Sequence, residues 1–126
     1  MPNPSPAVES VVRSLLDAKM RGDREAISAL LSPYSSALAI GTEAGEWWAG
    51  PDEFFRAHCE ASPFAAEIVE LTAHESGTAA WAAASVEVVL NAQQRLPVRV
   101  SVVLEKTHDG WKAVHTHASV ASEATW

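Results

Sequence analysis

The sequence predicts an α+β fold, a strongly curved antiparallel sheet wrapped on an N-terminal helix, and three observations carry that prediction. Apolar residues recur at helical spacing as far as residue 21, the period switches to two from residue 65 onward, and the joints between the later segments are short and polar. At 126 residues the chain suits one domain with one core.

Each element can be justified in turn. Residues 1–5 are Pro-rich and are expected to be a disordered leader. Ser5 followed by Pro6 is an N-cap and first-turn signal, and Val8, Val11, Val12, Leu15 and Leu16 then mark one apolar stripe, so 6–21 is an amphipathic helix ended by Gly22. Asp23 caps a short second helix, "REAISALLS", which Pro33 closes. "ALAIGT" (37–42) reads as an edge strand, "EAGEWWAG" as a loop, and Pro51 opens a third helix, "PDEFFRAHCEAS". Four β segments follow, "AAEIVELTAHES", "TAAWAAASVEVVLN", "RLPVRVSVVLEKT" and "GWKAVHTHASVA". Their joints "SG", "NAQQ" and "HDG" make consecutive hairpins of them. The single domain is placed at 6–122 and a tail at 123–126.

Composition narrows the partners. Nine basic against sixteen acidic residues give a formal net charge of -7, with no Lys/Arg cluster to neutralise phosphates, so neither nucleic acid nor a membrane is expected as a partner. The N-terminus lacks the basic and apolar regions of a secretory signal, and a cytoplasmic location is expected. The single cysteine, Cys59, excludes Cys-rich zinc sites and reads as an inert, partly buried thiol. His58 on the third helix either reaches the mouth of the fold or, the preferred reading, is a surface residue of that helix.

The last strand poses the main question, because His115 and His117 are two residues apart and share a face. With Asp109 and Gly110 as the turn, Arg99 pairs with Val120, Ser101 with Ala118 and Val103 with Thr116, while Leu104 and Val102 meet His115 and His117 on the opposite face. That count yields two faces, neither polar enough for free solvation. The helices cover one, and a second copy of the chain is the economical cover for the other, giving a homodimer interface of Trp81, Val100, Val102, His115 and His117. A metal at the two histidines lacks further ligands apart from Glu87, so no metal is expected. In the preceding strand Ala80, Ala82 and Ala84 share a face, and the volume they leave is filled by close helix approach or remains as a cavity.

The order of elements, "GTEAGEWWAG" before the third helix and "RVSVVLEKTHDGWKAVHTHAS" at the end together resemble the SnoaL-like branch of the nuclear-transport-factor-2-like (NTF2-like) superfamily, over nearly the whole chain. The ending is also similar to the association domain of calcium/calmodulin-dependent kinase. The resemblance implies a cystatin-like cone with a pocket at its open end and a dimer formed through the outer face of the sheet. It implies no cofactor. By strand position Thr116 and Ala118 match pocket-lining positions of related ketosteroid isomerases, but the catalytic tyrosine and carboxylate pair of those enzymes have no match here, the only tyrosine being Tyr34. Association domains hold small carboxylates with arginines of the last two strands. Arg99 can supply one, and Ala118 stands in place of another.

The expected ligand site is therefore Arg99, Ser101 and Thr116, with Trp47 and Trp48 closing the mouth of the cone or plugging its core. Glu46 either belongs to that site or pairs with Arg99 as a structural ion pair. Three functions remain open: a binding domain for a small, partly apolar or anionic molecule, a cofactor-independent isomerase, cyclase or dehydratase, and a filled cone that serves oligomerisation alone.

Overall fold

In the computed structural model, which describes residues 1–121, three helices precede a long meander of strands. Helix α1 (Pro6–Arg21) starts where the Ser5 hydroxyl accepts the Val8 amide at 3.1 Å, and it ends at Gly22 in the left-handed region, φ 68°. Helix α2 (Arg24–Ser28) is capped by Asp23, whose carboxylate accepts the Ala26 amide. It is shorter than its apolar pattern suggests, because Leu30 to Ser32 leave the helix to pair with Ala113. Helix α3 (Pro51–Cys59) begins at Gly50 without a side-chain cap, and Pro51 supplies the helical φ of the first turn.

Strands β1 (Asn3–Pro4), β2 (Leu38–Ile40) and β3 (Trp47–Ala49) join the four later strands, β4 to β7 (65–120), in one seven-stranded sheet of order β1-β4-β5-β6-β7-β2-β3. Its centre is the antiparallel meander β4 (Ala65–Ser76), β5 (Ala79–Val89), β6 (Arg95–Thr107) and β7 (Gly110–Val120). Three features depart from the sequence reading. Asn3 and Pro4, expected in a disordered leader, form strand β1 against His74 and Glu75, and the Ser5 amide donates to Ala73 O at 3.0 Å. Strand β2 (Leu38–Ile40) runs parallel to β7, so the sheet is mixed, and Trp47–Ala49 of the expected loop form strand β3 against β2. Residues 122–126, which include the tail set off at 123, lie outside the described residues.

The core lies between α1 and the concave side of the sheet. Val8, Val12, Leu15 and Leu16 of α1 pack with Ala80, Ala82, Ala84 and Val86 of β5 and with Val102 and Leu104 of β6, while Ile27 and Phe54 bring in α2 and α3. The alanine row is buried among these side chains, so the helix comes close along that part of β5. The cavity opens farther along the same strand, beside Val86 and Val88. Both alternatives for the alanine face hold, at different ends of the cone.

Gly22 is fixed both by its left-handed φ and by crowding, since a Cβ there would lie 2.7 Å from Pro63 Cγ. Gly22→Ala is expected to destabilise the fold by at least about 1 kcal/mol and to lower the melting temperature by several degrees in calorimetry.

Candidate functional site

The β6–β7 hairpin decides which residues face the interior. Its two turn residues are His108 and Asp109, with Thr107 paired to Gly110, one position earlier than the sequence count assumed. The Thr107 hydroxyl fixes this turn by donating to Gly110 O at 2.8 Å and accepting the Asp109 amide at 3.1 Å. A bulge then intervenes, because Leu104 pairs with Ala113 while Val103 pairs with His115. Trp111 and Ala113 therefore share the inner face with Thr116, although strict alternation would separate them.

This register corrects the expected site. Val98, Val100, Val102 and Leu104 point inward, whereas Arg99 pairs with Ser119 and Ser101 with His117, and both Arg99 and Ser101 are exposed on the outer face. Burying a continuous apolar row in place of a row containing arginine and serine is the favourable choice. Arg99 and Ser101 thus do not line the cone. Nor does Glu46 pair with Arg99; its carboxylate accepts the Glu43 amide at 2.8 Å and packs beside Gly41. Trp48 lines the interior, while Trp47 is 64% exposed. Of the residues expected at the dimer face, Trp81, His115 and His117 do share the outer side with Val103, but Val100 and Val102 are interior. His115 is further held by a 3.1 Å contact from Nδ1 to Leu38 O.

The interior is a cavity of about 190 Å³ between the second half of α1, α3, β2, β3 and the curved strands. Its wall is apolar almost throughout, with Leu15, Met20, Ile40, Trp48, Val88 and Val98 among its residues. Against that wall three polar side chains form a chain. Lys19 Nζ lies 2.7 Å from His58 Nδ1, and His58 Nε2 lies 2.8 Å from Thr116 Oγ1. Exposed His117 also borders the cavity.

Physical chemistry assigns the direction of this chain. An ammonium has no lone pair, so Lys19 donates, Nδ1 accepts, and the ring proton sits on Nε2, from which it is donated to Thr116. Burial disfavours charge on both bases. It lowers Lys19 from 10.5 to about 8, and it lowers His58 from 6.5 to about 3 with help from the neighbouring Lys19 charge. His58, 8% exposed, is a neutral imidazole at pH 7. Its ring is also held edge-on to Phe54, with centroids 4.9 Å apart.

Of the three polar residues, only Thr116 was in the expected site. Lys19 falls three and four residues beyond Leu16 and Leu15, and His58 four beyond Phe54, so both continue apolar helical stripes. That spacing was the available signal, and it places His58 inside rather than on the helix surface. Cys59 is buried, with its thiol 3.8 Å from Arg24 O. Among the described residues no group of three or more His, Cys, Asp or Glu could hold a metal ion. Among the described residues no helix is long and apolar enough to cross a membrane.

His58 makes stability pH-dependent in a defined direction. Between its folded pKa of about 3 and its ordinary 6.5, the unfolded chain binds more protons, so stability falls as pH drops through that window. The loss approaches about 1.4 kcal/mol per pH unit where the difference is complete. His58→Gln, which offers an acceptor and a donor without titrating, is expected to flatten this part of the acid slope in urea melts at pH 7, 5.5 and 4.

No curated protein matches the chain. An NTF2-like protein of unknown function from Pseudomonas putida superposes with a TM-score of 0.73 at 21% identity, covering 98% of this chain and 100% of that one. A cystatin-like fold protein from Burkholderia xenovorans gives 0.77 at 18% identity, covering 94% and 92%. A ketosteroid isomerase-like protein from Erwinia carotovora atroseptica gives 0.70 at 20% identity, covering 92% and 95%. At these identities the likeness is one of fold, the NTF2-like and cystatin-like α+β architecture. The SnoaL-like domain model matches residues 8–123, and the chain belongs to the SnoaL-like domain family.

Proposed function

We propose that this domain binds a small, mostly apolar molecule bearing one acceptor oxygen, a carboxylate or a carbonyl, in the open end of its cone. The observation that carries the reading is the apolar cavity with one polar chain, Lys19–His58–Thr116, against its wall. An apolar pocket with a few convergent polar groups is the usual form of a small-molecule site. At about 190 Å³ the space is smaller than the ~300 Å³ and above of drug-sized sites, so the ligand is small. Neutral His58 leaves the Lys19 charge uncompensated, which favours a ligand that brings an acceptor or a negative charge.

A thermal-shift screen tests this. Short aliphatic and aryl carboxylates and ketones are expected to raise the melting temperature, and the matching amines to leave it unchanged. Lys19→Met should lose the response to acids while keeping or raising the intrinsic melting temperature, because an apolar isostere relieves a desolvated charge. Equal responses to acids and amines would refute the reading.

A second reading, a cofactor-independent isomerase, cyclase or dehydratase, rests on the same chain of hydrogen bonds and on the likeness to the ketosteroid isomerase-like protein. His58 is a weak base with its pKa near 3, and Lys19 is the cavity group better placed to exchange a proton near neutral pH. A filled cone serving assembly alone leaves the cavity without a role.

The homodimer is proposed on the convex side of the sheet, where Trp81 is 42% and Val103 37% exposed beside Ala83, Ser101, His115 and His117. Light scattering at micromolar concentration is expected to give twice the chain mass, and Trp81→Glu half of that. A wild-type monomer would remove the proposal.

A further inference from the structure

The cavity holds a lysine whose amine is set up for chemistry beyond hydrogen bonding. Among the described residues no carboxylate forms an ion pair with Lys19, and the nearest polar partner is a neutral ring nitrogen that accepts one N–H at 2.7 Å. His58 is itself anchored through Nε2 to Thr116, so the acceptor cannot swing away without breaking a second hydrogen bond. The cavity that Lys19 lines is also walled by Leu15, Leu16, Met20, Val100 and Ala118, which offer an organic carbonyl compound an apolar seat.

We propose that Lys19 is a covalent site that condenses reversibly with a small aldehyde or ketone seated in the cavity, forming an imine. This rests on the reading of the cavity as a small-molecule site and names the ligand class. The nitrogen lone pair of the neutral amine attacks the carbonyl carbon, the C=O π pair moves to oxygen, and a proton passes from nitrogen to that oxygen to give a carbinolamine. The C–O bond then breaks and C=N forms, and the oxygen leaves as water carrying both original N–H protons of the neutral amine. No oxidant, reductant or metal enters the balance. One N–H held by His58 Nδ1 directs the lone pair away from α3, and the acceptor favours the positive charge that develops on nitrogen during attack.

The groups facing Lys19 are consistent with a usable amine at neutral pH. From α3 they are His58 and the buried thiol Cys59, and from β7 it is Thr116, while His117 borders the cavity from the outer side of the sheet. Burial brings the amine to about 8, which leaves roughly a tenth of it neutral at pH 7, whereas an ordinary surface lysine near 10.4 has far less than one per cent.

The test uses the full chain, 3-phenylpropanal as probe and sodium cyanoborohydride to reduce any imine to a stable amine, read by intact mass and peptide mapping at pH 7. The chain has two other lysines, Lys106 and Lys112, as internal controls, and peptide mapping separates the N-terminal amine from them. Among the three lysines the expected result is an early adduct on Lys19 alone, formed at least tenfold faster than on Lys106 or Lys112 and competed by 3-phenylpropanoate. Lys19→Arg, which keeps the charge, should remove that adduct and leave the slow ones. Labelling of Lys19 no faster than of the other two lysines in the wild-type chain would overturn the proposal without recourse to any variant. Thermal shift with 3-phenylpropanoate separates the two levels of the argument. Stabilisation without an adduct leaves the binding site standing and removes the imine, and neither effect removes both.

Discussion

The structure turns on one constraint: an ammonium has been placed in an apolar hollow with a neutral imidazole as its acceptor. A charge so situated is costly unless hydrogen-bonded, and the cost is met locally, by Lys19 on α1, His58 on α3 and Thr116 on β7 in sequence. Three elements distant along the chain must therefore be held in register to within hydrogen-bond tolerance. The arrangement ties the end of α1 to α3 and both to the sheet, which is why the polar chain belongs to the architecture as much as to the site.

The hollow begins where close packing along β5 ends. Where β5 carries Ala80, Ala82 and Ala84, α1 packs close and the core is dense. Beside Val86 and Val88 the space is lined rather than filled. Lys19 sits in the last turn of α1, where the negative end of the helix dipole favours a cation, so the same position that desolvates the charge offers it some compensation. The likeness to NTF2-like and cystatin-like folds follows from this cone, and the chemistry depends on the particular residues set into it.

Much of the architecture was legible in the sequence because periodicity and caps are local signals. Ser5–Pro6, Gly22, Asp23 and Pro51 punctuate the helices where expected, and the period-two segments became four consecutive strands. The pairing of β2 beside β7 was not legible, since it is a contact between residues 38–40 and 115–117 that no local pattern records. The site was harder still, because face assignment in β6 and β7 hung on counting from one turn. Placing that turn at Asp109–Gly110 rather than His108–Asp109 shifts the register by two and leaves the faces unchanged; passing over the bulge opposite Val103 and Leu104 is what turned Arg99 and Ser101 inward on paper. The apolar row Val98, Val100, Val102 and Leu104 carried the correct answer independently of the count. Lys19 and the inward placing of His58 were not legible for a different reason: a polar residue on an apolar helical stripe reads as an imperfection until its partner on another element is known.

The most direct measurement is the titration of Lys19 and His58 by nitrogen-15 NMR of the side chains in the intact protein. The account predicts a Lys19 midpoint of about 8, well below 10.5, and a His58 ring that stays neutral with its proton on Nε2 throughout the neutral range. A Lys19 midpoint near 10.5, or a His58 ring protonated on Nδ1 at pH 7, would contradict it, because the amine would then be an ordinary solvated cation without an imidazole acceptor.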